Sequence, residues 1–199
     1  MIRMIKSLVL LTVFGVAAAM PVSAYAQTQL ATGKPTVFKL TVTKVEMYNG
    51  TSFVTIFTGS SQLDMVAAAG GTAFPGISAL SLPAGTYTQI RVTFANSFTL
   101  KGSLAASGTT YYTTATTLNS GAGLSASTTA GALAEGTIYN PTWGALNADV
   151  VQTISIASVT IAGTAYSPTL KFDVSSSLVL STLSGVNYFT LAAVTISIV

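Results

Sequence analysis

The 199-residue chain contains no cysteine and no histidine, and only 7% of its residues are charged. Without cysteine there are no disulfides, no thiol nucleophile, no thiolate-held metal and no covalent haem attachment. Without histidine the commonest general base and the commonest metal ligand are missing. There is no G-x-S-x-G elbow, no S-x-x-K pair and no Walker loop. The five carboxylates stand apart in sequence, with no D-x-D calcium loop among them. A glycosidase needs only two carboxylates facing each other across the scissile bond; Glu135 and Asp149 are the pair to consider, against their reading as ordinary surface charges. No cofactor and no metal are implied, and the chain reads as a non-enzyme.

The first 26 residues have the form of an export signal. Arg3 and Lys6 make a basic start, Leu8 to Met20 an apolar stretch, and Ala24-Tyr25-Ala26 a small-x-small cleavage site before Gln27. The apolar stretch is shorter than the roughly 20 residues a spanning helix needs, so a cleaved signal is the better reading than an anchor. Cleavage after Ala26 leaves residues 27–199 as one domain, with no membrane span expected in it. That domain keeps Lys34, Lys39, Lys44, Arg91, Lys101 and Lys171 against Glu46, Asp64, Glu135, Asp149 and Asp173, a net charge of +1. No cluster of Lys or Arg remains to meet nucleic acid or anionic lipid, and both are excluded as partners.

Threonine and serine stand where charge would. Residues 27–199 hold 30 Thr and 20 Ser, which keeps outward strand positions polar, whereas a small soluble domain usually has about 25–35% charged residues on its surface. Two explanations are open: an extracellular surface that is simply Thr-rich, or a surface covered by neighbouring subunits.

The run "TVFKLTVTKVEM" from Thr36 to Met47 alternates with period two, Phe38, Leu40 and Val42 on one face and Lys39, Thr41 and Thr43 on the other. Val45 and Met47 fall on the opposite parity, which a bulge near Lys44 would correct. Asn49-Gly50 then predicts a hairpin to Ser52–Thr58, because both residues tolerate positive φ. Further strands are expected at Gln62–Val66, Ile77–Leu82, Thr86–Ala95, Phe98–Leu104, Leu133–Tyr139, Val150–Ile161, Thr169–Leu180 and Tyr188–Ile198, with one helical turn available at Leu63–Ala69. Ile90, Val92 and Phe94 share a face and Arg91 and Thr93 the other, while Tyr87 falls on the outward parity unless the strand is bulged there. Residues 107–131, rich in Thr, Ser, Gly and Ala and poor in large aliphatics, read as a long loop, ordered at its start and loose at its end. Many short strands separated by turn signals point to a sandwich or barrel, and the reading taken is an all-β fold, a single antiparallel β-sandwich of Greek-key type.

"VFKLTVTKVEMYNGTSFVTIF", "SQLDMVA" and "LSLPAGTYTQIRVTF", in that order, resemble a family of uncharacterised exported bacterial β-sandwich domains of unknown function with prealbumin-like topology. The resemblance rests on Val45-Glu46 at the end of the first strand, on Leu63-Asp64-Met65, and on Ala84, Gly85, Tyr87, Ile90 and Arg91. It covers Thr36 to about Phe98. It implies a fold and an exported bacterial setting and supplies no catalytic residue. The lipobox cysteine that this family often carries is absent here, so lipid anchoring is not implied.

Four aromatics are candidates for a ligand or an interface. Trp143, the only tryptophan, sits in "YNPTWGALNAD" near Tyr139, where its ring can stack on a sugar or lock the loop onto the sandwich. Tyr111 and Tyr112 are consecutive on a strand, which predicts one buried and one displayed. Asp64 reads as a capping carboxylate. A lysine–asparagine isopeptide of the kind found in surface fibres needs a buried Lys near a carboxylate, and Lys44 with Glu46 is the candidate. Val194, Ile196 and Ile198 alternate against Thr195 and Ser197, a segment suited either to an internal strand or to strand addition on a neighbour. The reading that joins these features is a secreted, extracellular, cell-surface or periplasmic protein with a structural or adhesive role, self-associating into a filament or surface layer. The alternative is a polysaccharide-binding module using Trp143 and nearby tyrosines.

Overall fold

Alternation of apolar with hydroxyl-bearing residues carries through the computed structural model, which describes residues 11–12, 27–70, 72–73, 83–118, 123–140, 143–162, 169–192 and 194–198. The strands are β1 (Leu11–Thr12), β2 (Thr28–Gly33), β3 (Val37–Tyr48), β4 (Phe53–Asp64), β5 (Thr72–Ala73), β6 (Gly85–Lys101), β7 (Ser103–Ala106), β8 (Thr109–Thr117), β9 (Leu124–Ser127), β10 (Gly136–Ile138), β11 (Asp149–Ile161), β12 (Thr169–Asp173), β13 (Leu178–Leu183), β14 (Val186–Leu191) and β15 (Thr195–Ile198). No α-helix occurs among the described residues; Ala67–Gly70 and Ala130–Ala132 are single 3-10 turns, the first at the helical turn expected after Leu63. Most of the expected signal segment and the expected strand Ile77–Leu82 lie outside the described residues.

The strands form antiparallel sheets that pack on one another in a sandwich-like fold. One sheet runs β10-β6-β3-β4, with β11 beside β6; a second runs β2-β13-β14-β9-β8-β7; a small third runs β1-β15-β12-β5. Phe38, Leu40, Phe98 and Leu100 from the first sheet share a single buried cluster with Leu124, Leu178, Leu180 and Phe189 from the second.

The Asn49-Gly50 hairpin forms as its residues dictate. Gly50 has φ +91°, and the Asn49 side-chain carbonyl accepts from the backbone N–H groups of Thr51 (3.0 Å) and Ser52 (2.8 Å). The bulge expected near Lys44 is at Thr43: Val42 lies opposite Phe94 and Lys44 opposite Thr93, so β3 has one extra residue and Val45 and Met47 turn back to the core. On β6, Ile90, Val92 and Phe94 are buried as their parity predicts. Tyr87 is also fully buried. Only Thr88 lies between the pairs Tyr87–Val159 and Gln89–Ser155, so β11 bulges at residues 156–158 beside it, and Tyr87 is buried against its parity. Its hydroxyl donates to the Pro83 carbonyl at 2.9 Å.

Two expected strands prove to be one: β6 runs unbroken from Gly85 to Lys101. It passes at Gly102 into β7 in the other sheet, just as β2 passes through Lys34-Pro35-Thr36 into β3. The crossovers touch, with Thr36 N–H donating to the Lys101 carbonyl at 2.8 Å. A Cβ on Gly102 would stand 2.7 Å from Leu178 Cδ2 and 3.2 Å from Pro35 Cα, so only glycine fits this approach. The expected strand Thr169–Leu180 is broken by a turn at Asp173–Ser177, where Asp173 accepts from Ser175 N–H (3.0 Å) and the Ser177 hydroxyl donates to the Val174 carbonyl (3.0 Å).

The segment 107–131 is not the long loop its composition suggests, because β8 and β9 lie within it. Thr113, fully buried, explains how. Its hydroxyl accepts from Gly102 N–H (3.1 Å) and donates to the Ala134 carbonyl (2.9 Å), and its backbone pairs with both residues as well. A threonine with both hydroxyl roles filled serves as a core residue, so a Thr-rich run need not face water.

Candidate functional site

The inward face of β6 carries a polar residue where the pattern calls for an apolar one. In "FANSF", Asn96 shares its parity with Phe94 and Phe98, and all three are buried. The register on β3 passes from Leu40 opposite Phe98 to Val42 opposite Phe94, so β6 bulges at 95–97 and frees Asn96 from the ladder with β3. Its side-chain amide donates to the carbonyls of Asn140 (2.7 Å), Gly144 (3.0 Å) and Ala145 (3.4 Å), and its side-chain carbonyl accepts from Asn140 N–H (2.9 Å). Its backbone N–H reaches the Ala148 carbonyl at 2.8 Å, and Asn147 N–H returns to the Asn96 carbonyl at 3.4 Å. One asparagine thus binds both ends of the connection between β10 and β11. That connection carries Trp143, whose ring stands edge-on to Phe94 (5.9 Å between centroids) and to Phe98 (6.1 Å). Trp143 is half-buried and packs the loop against the core.

The outward face of the same sheet carries an ionic cluster. Glu46 on β3 is opposite Arg91 on β6. Arg91 Nε donates to Glu46 Oε2 at 2.7 Å, and Lys44 Nζ reaches Oε1 at 2.7 Å. The Arg91 guanidinium lies 3.8 Å from the centre of the Phe53 ring, which itself sits 5.1 Å from Tyr48. Arg91 faces outward as its parity predicts, yet Glu46, only 5% exposed, is buried beneath its two cations. The Arg91 hydrogen bond, opposed by burial and helped by Lys44, pulls the Glu46 carboxyl from an ordinary 4.5 down to about 2.

A folded-state value below the unfolded one means that Glu46 stabilises the fold above about pH 4.5 and ceases to do so as pH falls towards 2. With both cations partly in water, the contribution is about 1–2 kcal/mol. Glu46→Gln is therefore expected to flatten the loss of stability between these pH values in urea melts. Arg91→Ala is expected to lower stability at neutral pH in the same urea melts, and by more than loss of a lone exposed charge does, because it leaves a buried carboxylate with half its partners.

The remaining sequence candidates are dispersed. Tyr139 follows β10 and is half-buried; Tyr111 and Tyr112 lie on β8 in the other sheet, and both are half-buried, so the expected split between one buried and one displayed does not occur. Tyr111 packs against the core while Tyr112 lies opposite the small residues Ser103 and Ser127. Val194 is buried. Ile196 and Ile198 belong to β15, which pairs with β12 on one edge and with Leu11–Thr12 on the other, so β15 is an inner strand of this chain. Asp64 caps its turn as expected, accepting from Val66 N–H at 3.0 Å.

Two further candidates are overturned by geometry. Glu135 accepts from Lys39 through both oxygens at 3.0 Å. Gly136 lies opposite Leu100 and Asp149 opposite Ala95, which separates Glu135 from Asp149 by roughly 15 Å along β6, against the about 5–9.5 Å that glycoside hydrolysis requires. Lys44 and Glu46 touch, but as an ion pair with Lys44 40% exposed, whereas a crosslink of that kind needs its lysine buried.

Sequence reading missed Asn96 and Thr113. The signal for Asn96 was there, a polar residue on the core parity between two phenylalanines. Among the described residues no group of His, Cys, Asp and Glu could hold a metal ion, and no helix is long and apolar enough to cross a membrane. Comparison of the chain with family models, with curated proteins and with solved structures gave no match.

Proposed function

We propose that this chain is a secreted, non-enzymatic structural or adhesive protein of the cell surface that assembles with copies of itself. The observation that supports this most is what becomes of seven of the eleven charges in residues 27–199. Lys39 with Glu135, and Lys44 and Arg91 with Glu46, are spent on one another, while Asp64 and Asp173 are turned onto backbone N–H groups of their own turns. An already charge-poor surface is left with little to keep copies apart. The strand at the C-terminal end adds to the reading. Cleavage after Ala26 would remove Leu11 and Thr12 from beside β15 and leave the edge at Thr195–Ile198 open, the condition for strand addition.

Material recovered from the culture medium is expected to have an intact mass that begins at Gln27. In sedimentation velocity without added ligand it is expected to run as large species or filaments, visible by electron microscopy. A stable monomer at high concentration, with polysaccharide affinity abolished by Trp143→Ala, would replace this reading by the binding module.

A further inference from the structure

The second sheet contains a strand whose own burial is poor and whose seat is deep. In β2, Thr28, Gln29, Leu30 and Thr32 are exposed and only Ala31 and Gly33 are partly covered. Its one hydrogen-bonded neighbour among the described residues, β13, is buried from Leu178 to Ser181. The pairing slips in register between Leu180 and Ser181, where Leu30 is an extra residue on β2 that interrupts the ladder. On its other side β2 approaches β7, where a Cβ on Gly33 would lie 2.6 Å from Leu104 Cδ2, and no ladder joins these two strands. Releasing β2 thus gives up little apolar contact from β2 itself, while the vacated edge of β13 exposes one of the most buried strands of the molecule.

The connection to β3 has the form of a hinge. Gly33 and the exposed Lys34 precede Pro35, which is buried beside Gly102, and Thr36, which is bonded to Lys101. The pivot therefore lies at Gly33-Lys34, on an anchored base. Proline at 35 biases Lys34 towards an extended backbone and away from a tight reversal, and an extended hinge can carry β2 away from its own fold. Exchange of an identical element is a low-cost route to association, because the contacts are already those of the closed monomer.

We propose that β2 is the exchanged element of the assembly: in the polymer, Thr28–Gly33 of each copy pairs with β13 of the next. This rests on the self-assembly reading above, and on processing that makes β2 the leading segment. The occupant is this chain's own strand, and its register is the one seen here, Thr28 opposite Thr182 and Gln29 opposite Ser181. Because each copy gives one strand and receives one, the contact is head-to-tail and need not close, which yields filaments of indefinite length.

The absence of native cysteine makes the test direct. Residues facing one another across an antiparallel ladder have Cα atoms about 4.5–5.5 Å apart, within disulfide range. The secreted protein carrying Thr28→Cys and Thr182→Cys, oxidised after assembly, is expected to run as a ladder of covalent multimers on non-reducing gels and to collapse to monomer on reduction. Gln29→Cys with Ser181→Cys is a second pair should the first fail to fold. Mixed single variants, Thr28→Cys with Thr182→Cys, are expected to give covalent dimers. Assembled material in which the double variants crosslink only within single chains overturns strand exchange and leaves self-assembly standing. Material that sediments as a monomer, crosslinked within itself, overturns both.

Discussion

Phe94→Ala is expected to lower the unfolding free energy by about 3–5 kcal/mol in a denaturant melt, a large share of the about 5–15 kcal/mol that holds a typical domain together. The ring is 3% exposed and stands between Phe98, at 6.0 Å, and Trp143, at 5.9 Å. Its loss opens a cavity in the core and removes one of the two rings against which the β10–β11 connection is seated. A control lies across the same strand pair. Val151 on β11 is opposite Thr93 and 55% exposed, so Val151→Ala is expected to change stability by no more than about 0.5 kcal/mol. A larger effect from Val151→Ala than from Phe94→Ala would show that the inward and outward faces of this sheet have been interchanged.

Asn96→Ala is expected to cost about 2–4 kcal/mol, because it strips hydrogen-bond partners from Asn140 and Gly144 while leaving their backbone groups in a folded loop. Asn96→Asp distinguishes this network from simple packing. The carboxylate is nearly isosteric, but it faces the Asn140 and Gly144 carbonyls with oxygen where the amide donated. Repulsion and burial then raise its pKa above the unfolded value of about 3.9. Relative to the parent, this variant is most stable below that pH and weakens as pH rises, the reverse of the Glu46 dependence. The single tryptophan reports the local event: release of the loop moves Trp143 off Phe94 and Phe98, so its emission should shift to the red in Asn96→Ala before the β-sheet signal melts. A variant whose emission and sheet signal change together, with no pH dependence in Asn96→Asp, would show that Asn96 is only a space-filling residue.

Much of the first sheet was legible before any coordinates. Alternation at Phe38, Leu40 and Val42, the parity break at Lys44 and the Asn-Gly turn each have a local cause, steric or conformational, that acts within a few residues. The same kind of local pattern predicts a strand break between Ala95 and Phe98, and β6 runs through it. A polar Asn-Ser pair reads as a turn when its partners are unknown. The carbonyls that satisfy Asn96 lie more than 40 residues away, and no local pattern announces them. Likewise Thr113 reads as a solvent-facing residue until Gly102 and Ala134 are brought to its hydroxyl.

By itself, then, the sequence determined the all-β class, the face that Ile90, Val92 and Phe94 present, the hairpin, and the chemistry that cannot occur in a chain without cysteine or histidine. The tertiary structure alone decided where the polar residues go. Whether Asn96, Thr113 and Glu46 are buried depends on partners supplied by distant strands, because a polar group leaves water only when its hydrogen bonds are replaced. It also decided that Trp143 is seated against two phenylalanines, a matter of packing between a loop and a strand that share no sequence neighbourhood.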